Sequence, residues 1–255
     1  MISNVFHFCY GLSEDFGGKP YSLVHYLAVK SAYEVNSPEE IFFYYTYEPS
    51  GDWWEKTKPL VTLIKVEAPE EIFGNKLYHV AHKADILRLQ KLYEIGGIYM
   101  DLDTISRKSF KPLLNNKFVI GKQGKFRNMG LCNAVIMSEK KSKFVKLWLE
   151  SYKSFRSKGK DKYWAEHSVK LPLLIAKKNS NLLHIEPYDS FHYPLYYPTS
   201  LKKMFEKVKE YPNAYCHHLW EGGSWNKYLK DLTEEKIFNN DTTYNLIARK
   251  FLMNY

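Results

Sequence analysis

Apolar residues in the first third of the chain follow two alternating spacings. Dense apolar, aromatic and β-branched runs predict three short buried strands, at residues 5–10, 41–47 and 61–66. Helical spacing holds across the two intervening segments, 21–35 and 53–58. Strand, helix, strand, helix and strand is the order expected for a parallel α/β sheet.

The next segment combines a strong pattern with charged residues. Helical spacing holds over 79–95, and Gly96-Gly97 predicts the end of that helix. Residues 98–100 predict a strand, which places Asp101 and Asp103 beyond its carboxyl end, where open α/β sheets bind ligands. Because side chains alternate along an extended backbone, we expect both carboxylates to point the same way. Such a pair favours a hard divalent cation.

The second half of the chain has a looser pattern. Two further strands are predicted at 117–121 and 132–137, and amphipathic helices at 143–155, 164–177 and 201–209. Residues 183–198 are rich in Tyr, His and Pro and predict an irregular connection. Residues 214–225 predict a strand followed by a loop. Because no repeat or linker interrupts the chain, we expect one domain over residues 1–255.

Composition and charge limit the classes of ligand and the compartment that the sequence predicts. The formal net charge of +9 implies a positive field that attracts anions. The lysines of the second half are scattered, which is typical of a solvated surface, and no nucleic-acid motif is present. Three distant cysteines predict reduced thiols in the cytoplasm, with neither a disulfide framework nor a zinc knuckle. The longest apolar runs are too short for a transmembrane segment.

Two other groups of residues could carry chemistry, and each has a purely structural alternative. Asp85 and Arg88 lie three residues apart and share a helix face, either as a surface ion pair or as a fork for sugar hydroxyls and phosphate. The segment 216–225 contains two histidines, a glutamate and a serine around a Gly-Gly pair. It is either part of a metal shell or a turn with core tryptophans.

The central segment HKADILRLQKLYEIGGIYMDLDT resembles the signature of DXD-motif glycosyltransferases, family 32. That group includes the yeast initiating mannosyltransferase and capsular polysaccharide sugar transferases, and the clostridial toxin glucosyltransferase domains carry a similar signature. The residues that carry the resemblance are Ala84, Asp85, Arg88, Leu92, Gly96, Gly97, Tyr99, Asp101 and Asp103. The short segments 5–11 and 218–225 are also similar to the opening and closing segments of the family.

The resemblance implies a GT-A fold, Rossmann-like and of the nucleotide-diphospho-sugar transferase type, with C-terminal helical additions. It implies metal-dependent and retaining hexose transfer from a UDP- or GDP-sugar to a glycan or other hydroxyl acceptor, in cytoplasmic polysaccharide biosynthesis. Mn²⁺ or Mg²⁺ would be held by Asp101 and Asp103, with His218 or the Glu221/Ser224 pair completing the site. The remaining implied contacts are Asp85 and Arg88 on the donor sugar, and Tyr10, Tyr99, Asn133, Ser224 and Trp225 around the nucleotide.

Two alternatives from other classes make different predictions. A strand that ends in D-L-D-T is similar to a haloacid dehalogenase nucleophile motif, but Thr104 directly follows Asp103 instead of standing two residues later. A non-catalytic basic module, or a degenerate transferase that binds an anionic polymer or nucleotide, predicts salt-sensitive binding that does not depend on Asp103.

Overall fold

The computed structural model describes residues 1–126 and 128–253. Its first half contains strands and helices in the order β1 (Val5–Cys9), α1 (Leu23–Asn36), β2 (Glu40–Tyr45), α2 (Asp52–Thr57), β3 (Thr62–Lys65), β4 (Glu71–Ile72), β5 (Asn75–Lys76), α3 (Val80–Glu94), β6 (Gly97–Met100) and β7 (Thr104–Ser106). The second half continues with β8 (Phe118–Lys122), β9 (Leu131–Ser138), α4 (Lys143–Ser151), α5 (Leu171–Lys178), β10 (His184–Glu186), α6 (Tyr188–Phe191), α7 (Pro198–Phe205), β11 (Cys216–His218), α8 (Glu221–Ser224), α9 (Glu234–Asn239) and α10 (Thr243–Ala248).

Seven strands form the central sheet in the order β10-β8-β9-β6-β1-β2-β3. The strands β6, β1, β2 and β3 are parallel, as expected from the alternating pattern of the first half. Strand β9, however, runs antiparallel to both β6 and β8. The sheet is therefore mixed: the strands of the first half are parallel as predicted, and β9 runs antiparallel to both of its neighbours.

Alternating side chains bury the two faces of the sheet against different helices. Phe6, Phe8 and Met100 belong to a core cluster with α1. Tyr99 and Ile136 belong to a second cluster, which includes residues of α3 and α4. Helices therefore cover both faces, and the carboxyl ends of the parallel strands remain at one open edge.

The chain leaves α3 through Gly96 and Gly97, and both glycines are required by close backbone approaches. Gly96 has φ +80° and Gly97 has φ +106°, a region that residues with a Cβ rarely adopt. A Cβ on Gly97 would lie 2.4 Å from the carbonyl oxygen of Val5 on the neighbouring strand. The pair therefore ends the helix as predicted and also lets β6 enter the sheet beside β1.

The structure departs from the sequence prediction in the second half. Residues 183–198, predicted to be irregular, contain β10 and α6, and β10 pairs with β8 at the sheet edge. The helix predicted for 164–177 is a π-helical turn, Glu166–Lys170, followed by α5. No helix within 1–126 or 128–253 combines the length and apolarity needed to cross a bilayer.

Candidate active site

The acidic pair lies in a tight turn between β6 and β7. Thr104 Oγ1 donates a hydrogen bond to the carbonyl oxygen of Asp101 at 2.7 Å, which closes the turn. The expected extended backbone from Asp101 to Asp103 is therefore wrong. The two carboxylates are nevertheless brought together, because ligand atoms of Asp101, Asp103 and His218 lie within 4.8 Å of one another.

Asp101 is held by two residues of the preceding elements. The Arg88 guanidinium lies 3.0 Å from Asp101 Oδ1, and the Tyr99 hydroxyl donates to the same oxygen at 2.9 Å. Arg88 also lies over the Tyr99 ring, 4.3 Å from its centre. These contacts fix one carboxylate oxygen and leave Oδ2 outside the hydrogen bonds within the described residues.

Asp85, Arg88 and Asn133 form a buried polar network, not a surface ion pair. The side chains of Asp85 and Arg88 are 9% and 5% exposed, and their charged atoms lie 3.4 Å apart. Asn133 Nδ2 donates to Asp85 Oδ1 at 2.7 Å, and Arg88 donates to the Asn133 carbonyl oxygen at 2.7 Å. The network joins α3 to β9, and it orients the guanidinium that holds Asp101.

Asp103 contacts residues of β11 and of the segment that follows it. In the antiparallel pair β7–β11, His218 stands opposite Thr104, next to Asp103. His218 Nε2 lies 3.2 Å from Asp103 Oδ2, and the Glu221 backbone N–H donates to the same oxygen at 2.6 Å. His217 faces elsewhere, with Nδ1 2.8 Å from the Tyr193 carbonyl oxygen. Of the two histidines, the structure therefore places His218 at the acidic pair.

Burial and neighbouring charges shift the pKa values of the acidic residues in opposite directions. Burial raises the pKa of Asp85 to about 6 and that of Asp101 to about 6, although Arg88 opposes the shift in both. Burial also acts to raise the pKa of Asp103, but the charge and hydrogen bond of His218 outweigh it and hold that pKa well below its ordinary value. For His218, burial lowers the pKa, and the carboxylate of Asp103 raises it well above the ordinary value.

Two cavities meet at the acidic pair. One, of about 590 Å³, is lined by residues that include Asp85, Asn133, Trp164, Tyr196 and Trp220. The other, of about 380 Å³, is lined by residues that include Tyr10, Lys19, Tyr99 and Lys160. Asp101, Asp103, Arg88 and His218 line both cavities. A ligand with two parts could therefore occupy both cavities, with its junction beside the carboxylates.

Of the predicted nucleotide contacts, three line a cavity and two do not. Tyr10 and Tyr99 line the smaller cavity, and Asn133 lines the larger. Ser224 is fully buried and its hydroxyl donates to the Trp220 carbonyl oxygen at 3.1 Å, so it does not reach the acidic pair. Trp225 stacks on His25 at 6.0 Å between ring centres and lines neither cavity. The structure therefore places Ser224 and Trp225 outside both cavities, and their contacts with a nucleotide stay predictions.

Glu221 is predicted as a metal ligand, but its carboxylate pairs with two other residues, and its role as a ligand stays a prediction. Its carboxylate lies 2.5 Å from Lys19 Nζ and 3.0 Å from His25 Nε2. Only its backbone N–H contacts Asp103. Within the described residues, the donor group around the acidic pair consists of Asp101, Asp103 and His218. A glutamate already paired with a cation and a histidine offers little to a metal ion.

The sequence did not indicate several residues that line the cavities or lie beside His218. Lys19 lies in a turn-rich segment and reaches the smaller cavity beside the acidic pair. Trp164 and Tyr196 come from segments without a recognisable motif and line the larger cavity. Cys132 and His192 gather beside His218 from distant positions. Their residue types were visible in the sequence, but no local spacing linked them to the motif.

Comparison with known proteins agrees with this geometry. Residues 26–119 match the profile of a family described as the glycosyltransferase sugar-binding region containing the DXD motif. The chain is 33% identical over 265 residues to "Glucan organizing enzyme 1" of Cryptococcus neoformans, covering 99% of this chain and 71% of that protein.

Solved structures establish the fold. The glycosyltransferase GlyE of Streptococcus pneumoniae has a TM-score of 0.53 at 13% identity, covering 98% of this chain and 63% of GlyE. Mouse xyloside xylosyltransferase 1 has a TM-score of 0.52 at 10% identity, covering 88% of this chain and 99% of that protein. The fold is the GT-A fold with helical additions, as expected.

The matched segment contains Asp85, Arg88 and the acidic turn, and the relative matches nearly the whole chain. The phosphatase and basic-module alternatives are therefore set aside. The chain belongs to the family of glycosyltransferases whose sugar-binding region carries the DXD motif, and it is an enzyme of that class.

Proposed function

We propose that this glycosyltransferase moves a hexose from a UDP- or GDP-sugar to a hydroxyl of a glycan acceptor, with Mn²⁺ or Mg²⁺ at the acidic pair. The observation that carries the proposal is the position of Asp101 and Asp103 where two cavities meet. The smaller cavity contains aromatic rings and lysines suited to a nucleotide and its phosphates. The larger cavity would then hold the sugar and the acceptor.

The donor atoms fit a hard divalent cation. Within the described residues, the hydrogen bonds of Asp101 are made by Oδ1 and those of Asp103 by Oδ2. Each carboxylate therefore offers a second oxygen, and both side chains are held in place by the first. Oxygen ligands are those that Mg²⁺ and Mn²⁺ prefer. A bound cation would stabilise the charge that develops on the departing diphosphate.

The protein's own groups would orient the donor. Asp85 lines the larger cavity, and both of its contacts use Oδ1, which leaves Oδ2 to accept from a sugar hydroxyl. Arg88 is occupied by Asp85, Asp101 and the Asn133 carbonyl oxygen, so its role is to position the two carboxylates. Lys19 and Lys160 line the smaller cavity, where we place the phosphate oxygens, and Lys19 would exchange its contact with Glu221 for them.

We further propose retention of anomeric configuration by front-face transfer, in which an oxygen of the leaving diphosphate accepts the proton of the acceptor hydroxyl. The carboxylates of the larger cavity belong to Asp85, Asp101, Asp103 and Glu221, and each is engaged by a cation, an imidazole or an amide. We assign Asp101 and Asp103 to the cation and Asp85 to the donor sugar, and Glu221 pairs with Lys19 and His25, so this proposal assigns no carboxylate of the larger cavity as an inverting base. The relative's name refers to glucan, which supports a glycan acceptor.

The three free cysteines fit the predicted cytoplasmic compartment.

A donor screen tests the proposal. Purified protein with Mn²⁺ is incubated with each common nucleotide sugar, and the released nucleotide is measured for wild type, Asp103→Asn and the exposed control Asp52→Asn. We expect turnover of one donor, abolished by Asp103→Asn and by EDTA but kept in Asp52→Asn. The absence of both donor turnover and metal-dependent nucleotide binding would refute it. With an acceptor identified, inversion of the product's anomeric configuration would refute the retaining step.

A further inference from the structure

Positive charge is concentrated in one stretch of the chain. Residues 139–178 contain 12 of the Lys and Arg residues and 4 of the Asp and Glu residues, so they carry +8 of the formal net charge of +9. All twelve of these cations are exposed, and within the described residues only Arg156 among them forms an ion pair, with Glu166. The other eleven are exposed lysines that no carboxylate neutralises by direct contact.

The fold gathers many of these lysines on the outside of one helix layer. Helices α4 and α5 contact each other and pack on the same core cluster, to which α4 contributes Trp148 and α5 contributes Ala176. The opposite sides of both helices therefore face outward, with exposed residues at helical spacing. These residues, which we call the α4–α5 surface, are Lys143, Lys146, Leu147, Glu150, Lys170, Leu174, Lys177 and Lys178.

A hairpin with an exposed aromatic tip adjoins α4. Strands β4 and β5 form the hairpin, and Asn75 Nδ2 donates to the carbonyl oxygens of Tyr152 and Lys153, at 3.1 and 3.3 Å, directly after α4. At the hairpin turn, Phe73 has φ +50° and is 54% exposed, whereas its neighbour Ile72 packs against the core. A left-handed backbone is strained for an aromatic residue, and here it accompanies a ring that is held outward.

Carboxylates also lie near the hairpin tip, and lysines oppose most of them. Glu71 stands opposite Lys76 in the hairpin register, and Glu70 Oε1 lies 2.5 Å from Lys83 Nζ. Residues 67–83 therefore carry a net charge of only −1, against +8 for residues 139–178. The hairpin adds apolar surface beside the lysines and leaves the local charge strongly positive.

We propose that the α4–α5 surface and the Phe73 tip bind the surface of an anionic lipid bilayer. The lysines meet the charged headgroups, and each strengthens binding by about fivefold. Phe73, Leu147 and Leu174, which are 54%, 36% and 50% exposed, enter the boundary between headgroups and acyl chains. A bilayer fits better than a nucleic acid or an acidic polysaccharide, because neither polymer offers an apolar layer to exposed leucines. The α4–α5 surface and Phe73 line neither cavity, so the inference does not rest on the proposed transfer reaction.

Vesicle sedimentation tests the inference without an activity assay. Full-length protein is incubated with vesicles of phosphatidylcholine, either alone or with about one third phosphatidylserine, and the pelleted fraction gives an apparent Kd. We expect phosphatidylserine to strengthen binding by at least about tenfold. Most of that gain should be lost between about 0.1 M and about 1 M salt, because the Debye length falls from about 10 Å to about 3 Å.

Two matched pairs of variants locate the contact. The surface variant combines Lys146→Gln, Lys177→Gln and Lys178→Gln. The control variant removes the same charge from exposed positions elsewhere, with Lys207→Gln, Lys209→Gln and Lys230→Gln. The surface variant should bind about a hundredfold more weakly, fivefold for each lysine, and the control variant no more than about threefold more weakly. Phe73→Ser should weaken binding by about tenfold, whereas Phe238→Ser, at a 43% exposed position of α9, should bind as wild type does.

Several outcomes would overturn the inference. Equal binding to both kinds of vesicle would show that the lysines face solvent only. Equal losses in the surface and control variants, both folded by circular dichroism, would reduce the attraction to overall net charge. Binding of dextran sulfate that the surface variant loses, without vesicle binding, would assign the lysines to an anionic polymer instead. Unchanged vesicle binding in Phe73→Ser would remove the hairpin tip from the contact. Failure of donor turnover does not affect any of these readings.

Discussion

Replacing Arg88 by Met tests how much the buried network of Asp85, Arg88 and Asn133 contributes to the free energy of unfolding. Arg88 lies 3.0 Å from Asp101 and 3.4 Å from Asp85, and it donates to the carbonyl oxygens of Asn133 at 2.7 Å and Ala84 at 3.2 Å. Methionine keeps much of the apolar stem but removes the charge and the donors. The buried Asp85 and the partly buried Asp101, whose side chain is 26% exposed, would then lose their cation.

The expected magnitude follows from burial. Removing one partner of a buried ion pair destabilises a protein by about 3–5 kcal/mol, because the remaining charge is desolvated and unpaired. Arg156 provides a matched control, since it pairs with Glu166 at 2.6 and 3.0 Å and lies over the Tyr163 ring at 3.9 Å. The Arg156 side chain is 55% exposed, so Arg156→Met should change stability by no more than about 1 kcal/mol.

Urea unfolding at pH 7, followed by circular dichroism, measures both variants against wild type. The reasoning predicts that Arg88→Met lowers the free energy of unfolding by about 3–5 kcal/mol. A loss for Arg88→Met no larger than that for Arg156→Met would refute it. Such a result would mean that water reaches Asp85 and Asp101 and replaces the guanidinium.

Two further predictions concern β6 and its neighbour. Gly97→Ala should lower the free energy of unfolding in urea by about 1–3 kcal/mol, because Gly97 has φ +106° and a Cβ there would lie 2.4 Å from the Val5 carbonyl oxygen. An unchanged unfolding midpoint would contradict this. Burial lowers the pKa of His7 to about 4, below its ordinary 6.5, so its contribution to stability is complete above pH 6.5 and is lost as the pH falls towards 4. Between pH 7 and pH 4.5, wild type should therefore lose about 2–3 kcal/mol more than His7→Gln. Equal losses would show that His7 does not remain neutral in the folded state.

The predictable part of the fold is the part governed by local pattern. Helix α3, its end at Gly96, and the strand that leads to Asp101 all follow from spacing within one short segment. Asp85 and Arg88 were recognised as neighbours for the same reason, but spacing could not show that β9 covers them. Burial, which turns a weak surface pair into a positioning network, depends on strand pairing that the local sequence does not reveal.

The rest of the site depends on contacts between distant parts of the chain. Strand β10 has only three residues, too few for a periodic signal, and it is stabilised by pairing with β8. The resemblance of the closing segment to the family implies Glu221 as a metal ligand. In the structure, the direction of the Glu221 carboxylate is set by its contacts with Lys19 and His25, which lie in the first part of the chain. A motif predicts which residues gather, but not which atoms of those residues face the ligand.

His218 joins the two halves of the site, and this explains why motif matching recovers only one of them. The family profile covers residues 26–119, which include Asp85, Arg88, Asp101 and Asp103. Cys132, His192 and His218 all lie beyond that segment and come from β9, the end of α6 and β11. The oxygen donors could therefore be assigned from the motif. The resemblance of residues 218–225 to the closing segment of the family also implies His218, whereas no sequence signal links Cys132 and His192 to it. Pairing of β7 with β11 brings the His218 imidazole between Asp103 and Cys132.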